Sequence, residues 1–498
     1  MRVSVNWQSG ALVSLAWALS IASVHAADFV YTNNDLGANT VSAFSVGPTG
    51  VLTPVPGSPF STAGLGLGGG FFASNRATTR TVGNTLYAAN GGSNSVSAFT
   101  INPSTGVLIP VAGSPFATGG SAGFFGISLA ATPNDLFLFA ANGGSANITV
   151  YSIAASGALT PIVGSPFPAG AGGAPDGIKV TPDGNFLAVA RPIINAVSMF
   201  AIGPTGALTA VAGSPFSPGL PGLGSDAGVD IRCSGDRLFA GRATAGSTAV
   251  DVFSIAPTGA LAVIPGSPFS GPGINSNVPL LNADDLHLFV SNQFSSTVTA
   301  FSVAASGALT VVAGSPFPTG GGIAFPAGMA TDQAGSFLYV ANDSNTVSVF
   351  SIAGTGTLTP APGSPFATGT AGALLSLTAF PPKSCCPVPV ISGVSASPSV
   401  LWPPNHSFVD VIVSYTVTDP CANTCTLEVS SNEPIDGLGD GNTSPDWNVV
   451  DSHDVQLRAE RSGRGTGRIY TITVTCTNNT NGKSSSAITA VTVPHDQH

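Results

Sequence analysis

Apolar and polar positions alternate along residues 28–380 in short runs that return about every fifty residues. One run reads NTVSAFSV at residues 39–46 and NTVSVFSI at residues 345–352. Alternation of period two predicts strands with one buried face. An aromatic ring recurs inside this run, as Phe44, Phe99, Tyr151, Phe200, Phe253, Phe301 and Phe350. Each run ends at a glycine preceded by Thr or Ser: Gly50, Gly106, Gly157, Gly206, Gly259, Gly307 and Gly356. Such a glycine predicts a tight turn, because it adopts positive φ without a Cβ clash. A short second strand follows, as at residues 358–361. Then comes the tetrapeptide Gly-Ser-Pro-Phe, opening at Gly57, Gly113, Gly164, Gly213, Gly266, Gly314 and Gly363.

The spacings between these tetrapeptides are 56, 51, 49, 53, 48 and 49 residues. The interval from turn glycine to motif glycine is seven residues in every copy. The hairpin therefore keeps one register, and insertions fall in the loops after the motif. Two more strands complete the unit. One is apolar and leads into a Pro-Asp-Gly turn, as at residues 177–184; the next has the form LYVAN, as at residues 337–342. Four strands in fifty residues, seven times over, predict a seven-bladed β-propeller. The recurring aromatic and the motif Phe are expected to fill the space between blades, so that all seven fold together. The first copy starts at its second strand, residues 28–33. Its missing innermost strand is expected at residues 373–380, which would close the ring and remove the sheet edges.

The 498 residues suit two domains. The expected division is a signal peptide at 1–26, the propeller at 27–383 and a second β-domain at 384–498. Residues 1–26 carry one charge, Arg2, then an apolar stretch and a Val-His-Ala cleavage site. No later segment has the length and apolarity of a membrane helix. The expectation is a secreted monomer, extracellular or periplasmic. Charged residues are only 8% of the chain, and the net charge is −10. The repeats hold no Lys/Arg cluster, which argues against nucleic acid as a partner.

Composition shifts near residue 381. Five of the six cysteines lie beyond it, together with all three Glu and four of the six His. Strands are expected at 409–417, 425–430, 455–460, 469–475 and 487–493, which reads as an immunoglobulin-like β-sandwich. Cys425 opens one strand and Cys476 closes another, so a Cys425–Cys476 disulfide is expected, with Cys421 paired to Cys385 or Cys386 and one tail cysteine free. Cys233 is expected to stay a buried thiol on its strand. Asp436, Asp440, Asn442 and Asp446 cluster in a Gly-rich loop. That loop is either a solvated turn or a Ca²⁺ site, the one cofactor considered. Arg458, Glu460 and Arg468 are expected to pair across a hairpin.

Several tail segments, LWPPNH at 401–406, SNEP at 431–434, SPDW at 444–447 and LRAERSG at 457–463, resemble a C-terminal module of exported bacterial proteins. It is similar to immunoglobulin-like and hyalin-repeat-like domains, which implies an accessory or surface-interaction role. The repeats, with Tyr31-Thr-Asn33, Tyr339-Val-Ala-Asn342 and the VSxF…TGxLTPVxGSPF pattern, resemble YVTN-type and lactonase-type seven-bladed propellers related to 6-phosphogluconolactonase. That resemblance implies, for an enzyme, His and Glu as acid/base groups and Arg for the substrate's anionic part.

The inventory runs against that chemistry. Between Asp28 and Lys383 there is no Glu, and the one His is His287, on a strand of the LYVAN type. Proton transfer needs a titratable group within hydrogen-bond reach, and thirteen Asp are what remains. Asp176, Lys179, Asp226, Asp230 and Arg232 lie on or just before the innermost strands of blades four and five. Aligning glycines puts Lys179 and Asp230 at one offset in adjacent blades. Three readings stand: an ion pair in the channel wall, a site for a polar ligand or ion, or catalysis. The favoured function is non-catalytic extracellular binding or scaffolding, the ligand being a glycan, small molecule or protein. The alternatives are a lactone hydrolase and a cell-surface adhesion component. What lines the channel decides between the first two: a cluster of Asp and Arg around a water-filled pocket favours the enzyme.

Overall fold

The computed structural model describes residues 28–68, 79–218, 228–244, 247–320, 326–370, 376–383, 385, 389–418, 423–435, 444–463, 466–478 and 484–496. The expected signal segment and residues Asp226, Asp436, Asp440, Asn442, Cys386 and Cys421 lie outside them. Among the described residues the chain is all-β, apart from one 3-10 turn at Pro192–Ile194, and no helix is long and apolar enough to cross a membrane.

Seven antiparallel sheets form the propeller, one per repeat. The innermost strands of blades two to seven are Thr79–Val82, Ile127–Ala131, Ile178–Val180, Val229–Ile231, Ser276–Leu281 and Pro326–Thr331. Blade one takes its innermost strand from the far end of the repeats: Ser376–Phe380 pairs antiparallel with Phe29–Asn33, from Phe29 opposite Phe380 to Asn33 opposite Ser376. The expected closure is therefore present, over a shorter described strand.

The tetrapeptide has a physical role in every blade. The outermost strand is split, as in blade seven, where Leu358–Pro360 and Phe366–Ala367 both pair with Thr346–Ile352. The motif bulges out between the two halves, so one N–H of the third strand loses its ladder partner. The motif serine replaces it. The hydroxyls of Ser58, Ser114, Ser165, Ser214, Ser267, Ser315 and Ser364 accept from the backbone N–H of Ala43, Ala98, Val150, Met199, Val252, Ala300 and Val349, each at 2.9 Å. A buried N–H without an acceptor is costly, which is why the hydroxyl recurs.

Apolar clusters lie between each pair of neighbouring blades, and one joins blade seven to blade one through Tyr339, Val347, Val30 and Phe44. The recurring strand aromatic is buried in all seven copies. The motif Phe sits at the cluster margin, half-buried in six copies and buried only at Phe317. Each turn glycine also receives a side chain from the preceding blade. Gly206 has φ +84°, and a Cβ there would sit 2.7 Å from the Phe137 ring. His287 takes the same place against Gly356, buried, with its Nδ1 3.1 Å from Asp284. It is a packing residue between blades and does not face the channel.

The tail forms two sheets around one core. One holds Val390–Ser397, Phe408–Thr418, Asp454–Arg458 and Trp447–Val449; the other holds Asn423–Ser431, Gly467–Asn478 and Ser484–Pro494. Val411, Val413, Leu457, Tyr470, Ile472 and Val491 fill the space they share. Cys425 and Cys476 are bridged, as expected, but they sit directly opposite on neighbouring strands of one sheet. The bond therefore does not join the two sheets.

Cys233 departs from expectation. It lies in the turn after Val229–Ile231, half-buried, and is bridged to Cys385 of the tail. The closing strand ends at Phe380 at the same end of the channel where that turn sits, so five further residues bring Cys385 to it. All four described cysteines are paired, Cys385 to Cys233, so Cys385 is not the partner of Cys421.

Two outcomes follow from the closure and the serine clamp. A chain ending at Gly372 lacks the strand that completes blade one; its thermal unfolding should lose cooperativity, as followed by calorimetry. Ser267→Ala leaves the Val252 N–H without its acceptor and should destabilise the propeller by about 1–3 kcal/mol in urea titration; an unchanged midpoint would remove the clamp from the account.

Candidate functional site

The seven innermost strands surround a cavity of about 570 Å³, a volume in the range of small-molecule sites. Strand register places one residue per blade at a common level. Each is the residue opposite the third position of the neighbouring strand: Arg80 opposite Tyr87, Ala130 opposite Phe139, Lys179 opposite Ala188, Asp230 opposite Phe239, Leu280 opposite Phe289, Ala330 opposite Tyr339, and Thr378 opposite Tyr31. All seven line the cavity. Blades two, four and five put charge at this level, and the other four do not.

The expected Lys179–Asp230 pair is present. Lys179 Nζ lies 2.7 Å from Asp230 Oδ1, with 29% of the lysine side chain accessible and 2% of the aspartate's. Asp230 also accepts from the backbone N–H of Ile231 at 2.9 Å and of Leu281 at 2.8 Å. Burial alone would raise its pKa, but Lys179, Lys383 and the hydrogen bonds from Lys179 and the Leu281 N–H hold it below the usual carboxylate value. Asp230 is thus a fixed anion and a weak base. The Lys179 ammonium is pushed down by burial; Asp230 opposes this, while Lys383 and Arg80 add to it.

Two cations at this site escaped sequence reasoning. Arg80 lines the cavity, and its buried Nε has no hydrogen-bond partner among the described residues. Burial lowers its pKa, with Asp230 and Asp135 pulling the other way. Lys383 arrives from the segment after the closing strand. Its Nζ donates to the Leu281 carbonyl at 2.8 Å and lies 3.9 Å from Asp230 Oδ2. Pro382, Lys383 and Cys385 form part of the cavity wall at the end carrying the turns between first and second strands. The Cys233–Cys385 bond holds that segment to blade five. Repeat alignment hides Lys383, which lies beyond the repeats, and the long insertion before Arg80 blurs its offset.

Other expected site residues lie elsewhere. Asp176 is buried before its strand and does not line the cavity. Arg232 turns away from it, donating to the Ala304 and Ala305 carbonyls of the next blade at 2.7 and 3.0 Å. In the tail, Asp446 is buried with Oδ2 2.8 Å from Arg468 Nη1, which also donates to Glu460 at 3.1 Å. Burial pushes the Asp446 carboxyl up to about 6 against the pull of Arg468. Asp446 is therefore committed to a buried ion cluster, and no metal-ligand group of three or more occurs among the described residues. The predicted pairing of Glu460 with Arg468 is present, and Arg458 lies 3.9 Å from Glu460.

Removing the bond that fixes the linker tests its structural weight. Cys233→Ser with Cys385→Ser opens a covalent loop spanning 152 residues and should lower stability by about 2–5 kcal/mol, read as a fall in thermal midpoint. An unchanged midpoint would show that the linker is held without it.

Comparison with known proteins bears on the fold. A putative 6-phosphogluconolactonase of Bacteroides fragilis is 20% identical, covers 72% of this chain and 99% of its own, and superposes with a TM-score of 0.57. A periplasmic gluconolactonase of Pseudomonas aeruginosa is 19% identical, covers 68% and 97%, and gives 0.53. A comparison with curated proteins returns no match. The sequence model described as "Lactonase, 7-bladed beta-propeller" matches residues 21–222 and 229–373. With seven closed blades and a match over most of its length, the chain belongs to the lactonase family of seven-bladed β-propellers.

Proposed function

We propose that the propeller is a lactone hydrolase working on a sugar-derived lactone, outside the cytoplasm, with the C-terminal sandwich as an immunoglobulin-like accessory module. The observation that carries this reading is the charged lining of the channel: Arg80, Lys179, Asp230 and Lys383 around a cavity of about 570 Å³. Membership of the lactonase family and the likeness to gluconolactonases support it.

Lactone hydrolysis adds water across the acyl C–O bond. The water oxygen bonds to the carbonyl carbon as its proton passes to solvent, a tetrahedral oxyanion forms, the bond to the ring oxygen breaks, that oxygen takes a proton from solvent, and a hydroxy acid is released. The charge that develops sits on the former carbonyl oxygen. Cations aimed at that oxygen stabilise it in a site where water competes poorly, and one such donor is worth about 10²–10³ in rate. Asp230 stays ionised and fixes Lys179 in the cavity wall. In this mechanism the rate enhancement is electrostatic, and a His or Glu base is not required.

A second reading, binding without turnover, is favoured by one observation. The propeller has no Glu, and its one His is locked between blades six and seven. The two readings separate in one assay. The purified full chain should hydrolyse D-glucono-1,5-lactone or its 6-phosphate above the uncatalysed rate, and Lys179→Met should reduce kcat/KM by about 10²-fold. Hydrolysis at the uncatalysed rate with both lactones would leave the binding reading.

A further inference from the structure

We propose that the Cys233–Cys385 bond is a redox latch: an external dithiol cleaves it, and cleavage frees a strap of Pro382 and Lys383 from the end of the channel that carries the turns between first and second strands. The first argument is what holds the strap. Pro381 and Pro382 have no N–H to donate, so this stretch of backbone can do little to anchor itself. Side chains anchor it instead. Lys383 Nζ donates to the Leu281 carbonyl at 2.8 Å and stands 3.9 Å from Asp230 Oδ2, and Cys385 is bonded to Cys233. The lysine contacts can exchange with water. The covalent one yields only to reduction.

Access to the sulfur is the second argument. Thiol–disulfide exchange needs a thiolate to reach one sulfur of the bond. Cys385 is exposed and Cys233 is half-buried in a turn. The Cys425–Cys476 bond is better protected, with Cys476 fully buried and both residues inside paired strands. A dithiol therefore meets the channel bond first. Its thiolate bonds to the Cys385 sulfur, the S–S bond breaks, and Cys233 leaves as a thiolate that takes a proton from solvent. The second thiol of the reagent loses its proton, bonds to the first, and expels Cys385, which is protonated in turn. The dithiol is oxidised by two electrons and the chain gains two thiols.

The third argument is what moves and what stays. The Cys233 N–H donates to Asp285 Oδ2 at 2.7 Å, so the blade-five turn keeps a hold on blade six when the bond is open. The ring is closed upstream of the strap, at Ser376–Phe380, and does not need it. Pro382, Lys383 and Cys385 are part of the cavity wall, so their release widens that end of the channel. The match to the lactonase family ends at residue 373, which makes the latch an addition of this chain to the propeller. The inference stands on the bond and the cavity and does not require turnover.

Graded dithiothreitol on the folded full chain, quenched with N-ethylmaleimide and mapped by mass spectrometry, tests the order of opening. Cys233 and Cys385 should be alkylated at least tenfold sooner than Cys425 and Cys476. Release is read on lysines. The Lys383 side chain is 15% accessible, and its acetylation should become several-fold faster in the reduced chain and in Cys233→Ser with Cys385→Ser. At Lys179, the ratio of labelling by a bulky and a small amine reagent cancels the basicity of the amine and reads the width of the channel end. That ratio should rise several-fold. Unchanged acetylation of Lys383, or an unchanged ratio at Lys179, overturns the proposal. Opening of Cys425–Cys476 before or together with Cys233–Cys385 also overturns it, and this result comes from the wild-type chain whether or not the double variant folds.

Discussion

The pairing of Ser376–Phe380 with Phe29–Asn33 is the contact on which the rest of the molecule depends. Without it, blade one lacks its innermost strand and leaves Phe29–Asn33 at the channel edge, and the cluster joining it to blade seven loses Leu377 and Ala379. Closure also fixes a direction. The closing strand runs toward the end of the channel that carries the first turns, so whatever follows it in the chain must emerge there. The linker that follows contributes Pro382, Lys383 and Cys385 to the cavity wall. The arrival of Lys383 beside Asp230, and of Cys385 beside Cys233, is then a consequence of topology.

Repetition and chemistry occupy different parts of each blade. The outer strands carry the serine clamp, the turn glycine and the recurring aromatic, and these scarcely vary because each answers the same local demand in every copy. The innermost strands are held by backbone pairing to the second strand, so their side chains are free to differ. Arg80, Lys179 and Asp230 occupy positions where the other blades place Ala130, Leu280, Ala330 and Thr378. The same logic explains two buried arginines. Arg191 and Arg242 stand where the other five blades have the Asn of the LYVAN strand. Arg191 donates to the carbonyls of Gly170, Ala171 and Gly173, and Arg242 pairs with Asp251 at 2.7 Å.

This separation decides what could be read from sequence. The blade count, the hairpin register and the ring closure were legible because glycine and serine recur for stereochemical reasons that need no tertiary information. The Lys179–Asp230 pair was legible because both residues keep the same offset from a glycine. Asp176 and Arg232 looked equivalent in the same alignment, yet one is buried before its strand and the other bonds to the neighbouring blade's turn. Alignment gives the level of a residue around the ring and not the direction of a long side chain. Cys233 was misread for a different reason. Treating the tail as separate ignored that the repeats end at the channel, within five residues of a cysteine.

A guanidinium with a buried, unpartnered Nε in the wall of a folded protein needs a reason, and stability is not one. The buried Nε of Arg80 has no hydrogen-bond partner among the described residues, and burial pushes the Lys179 ammonium down, with Asp230 opposing and Lys383 and Arg80 adding to the shift. A ring of Ala and Leu at this level would fold with less conflict, as blades three, six and seven do. Strain of this kind persists where the surrounding structure over-determines it. Seven inter-blade clusters and seven serine clamps, none of which uses an innermost-strand charge, supply that surplus. The channel charges are therefore held against the preference of the local fold by the rest of the ring, which is the relation expected between a scaffold and a site.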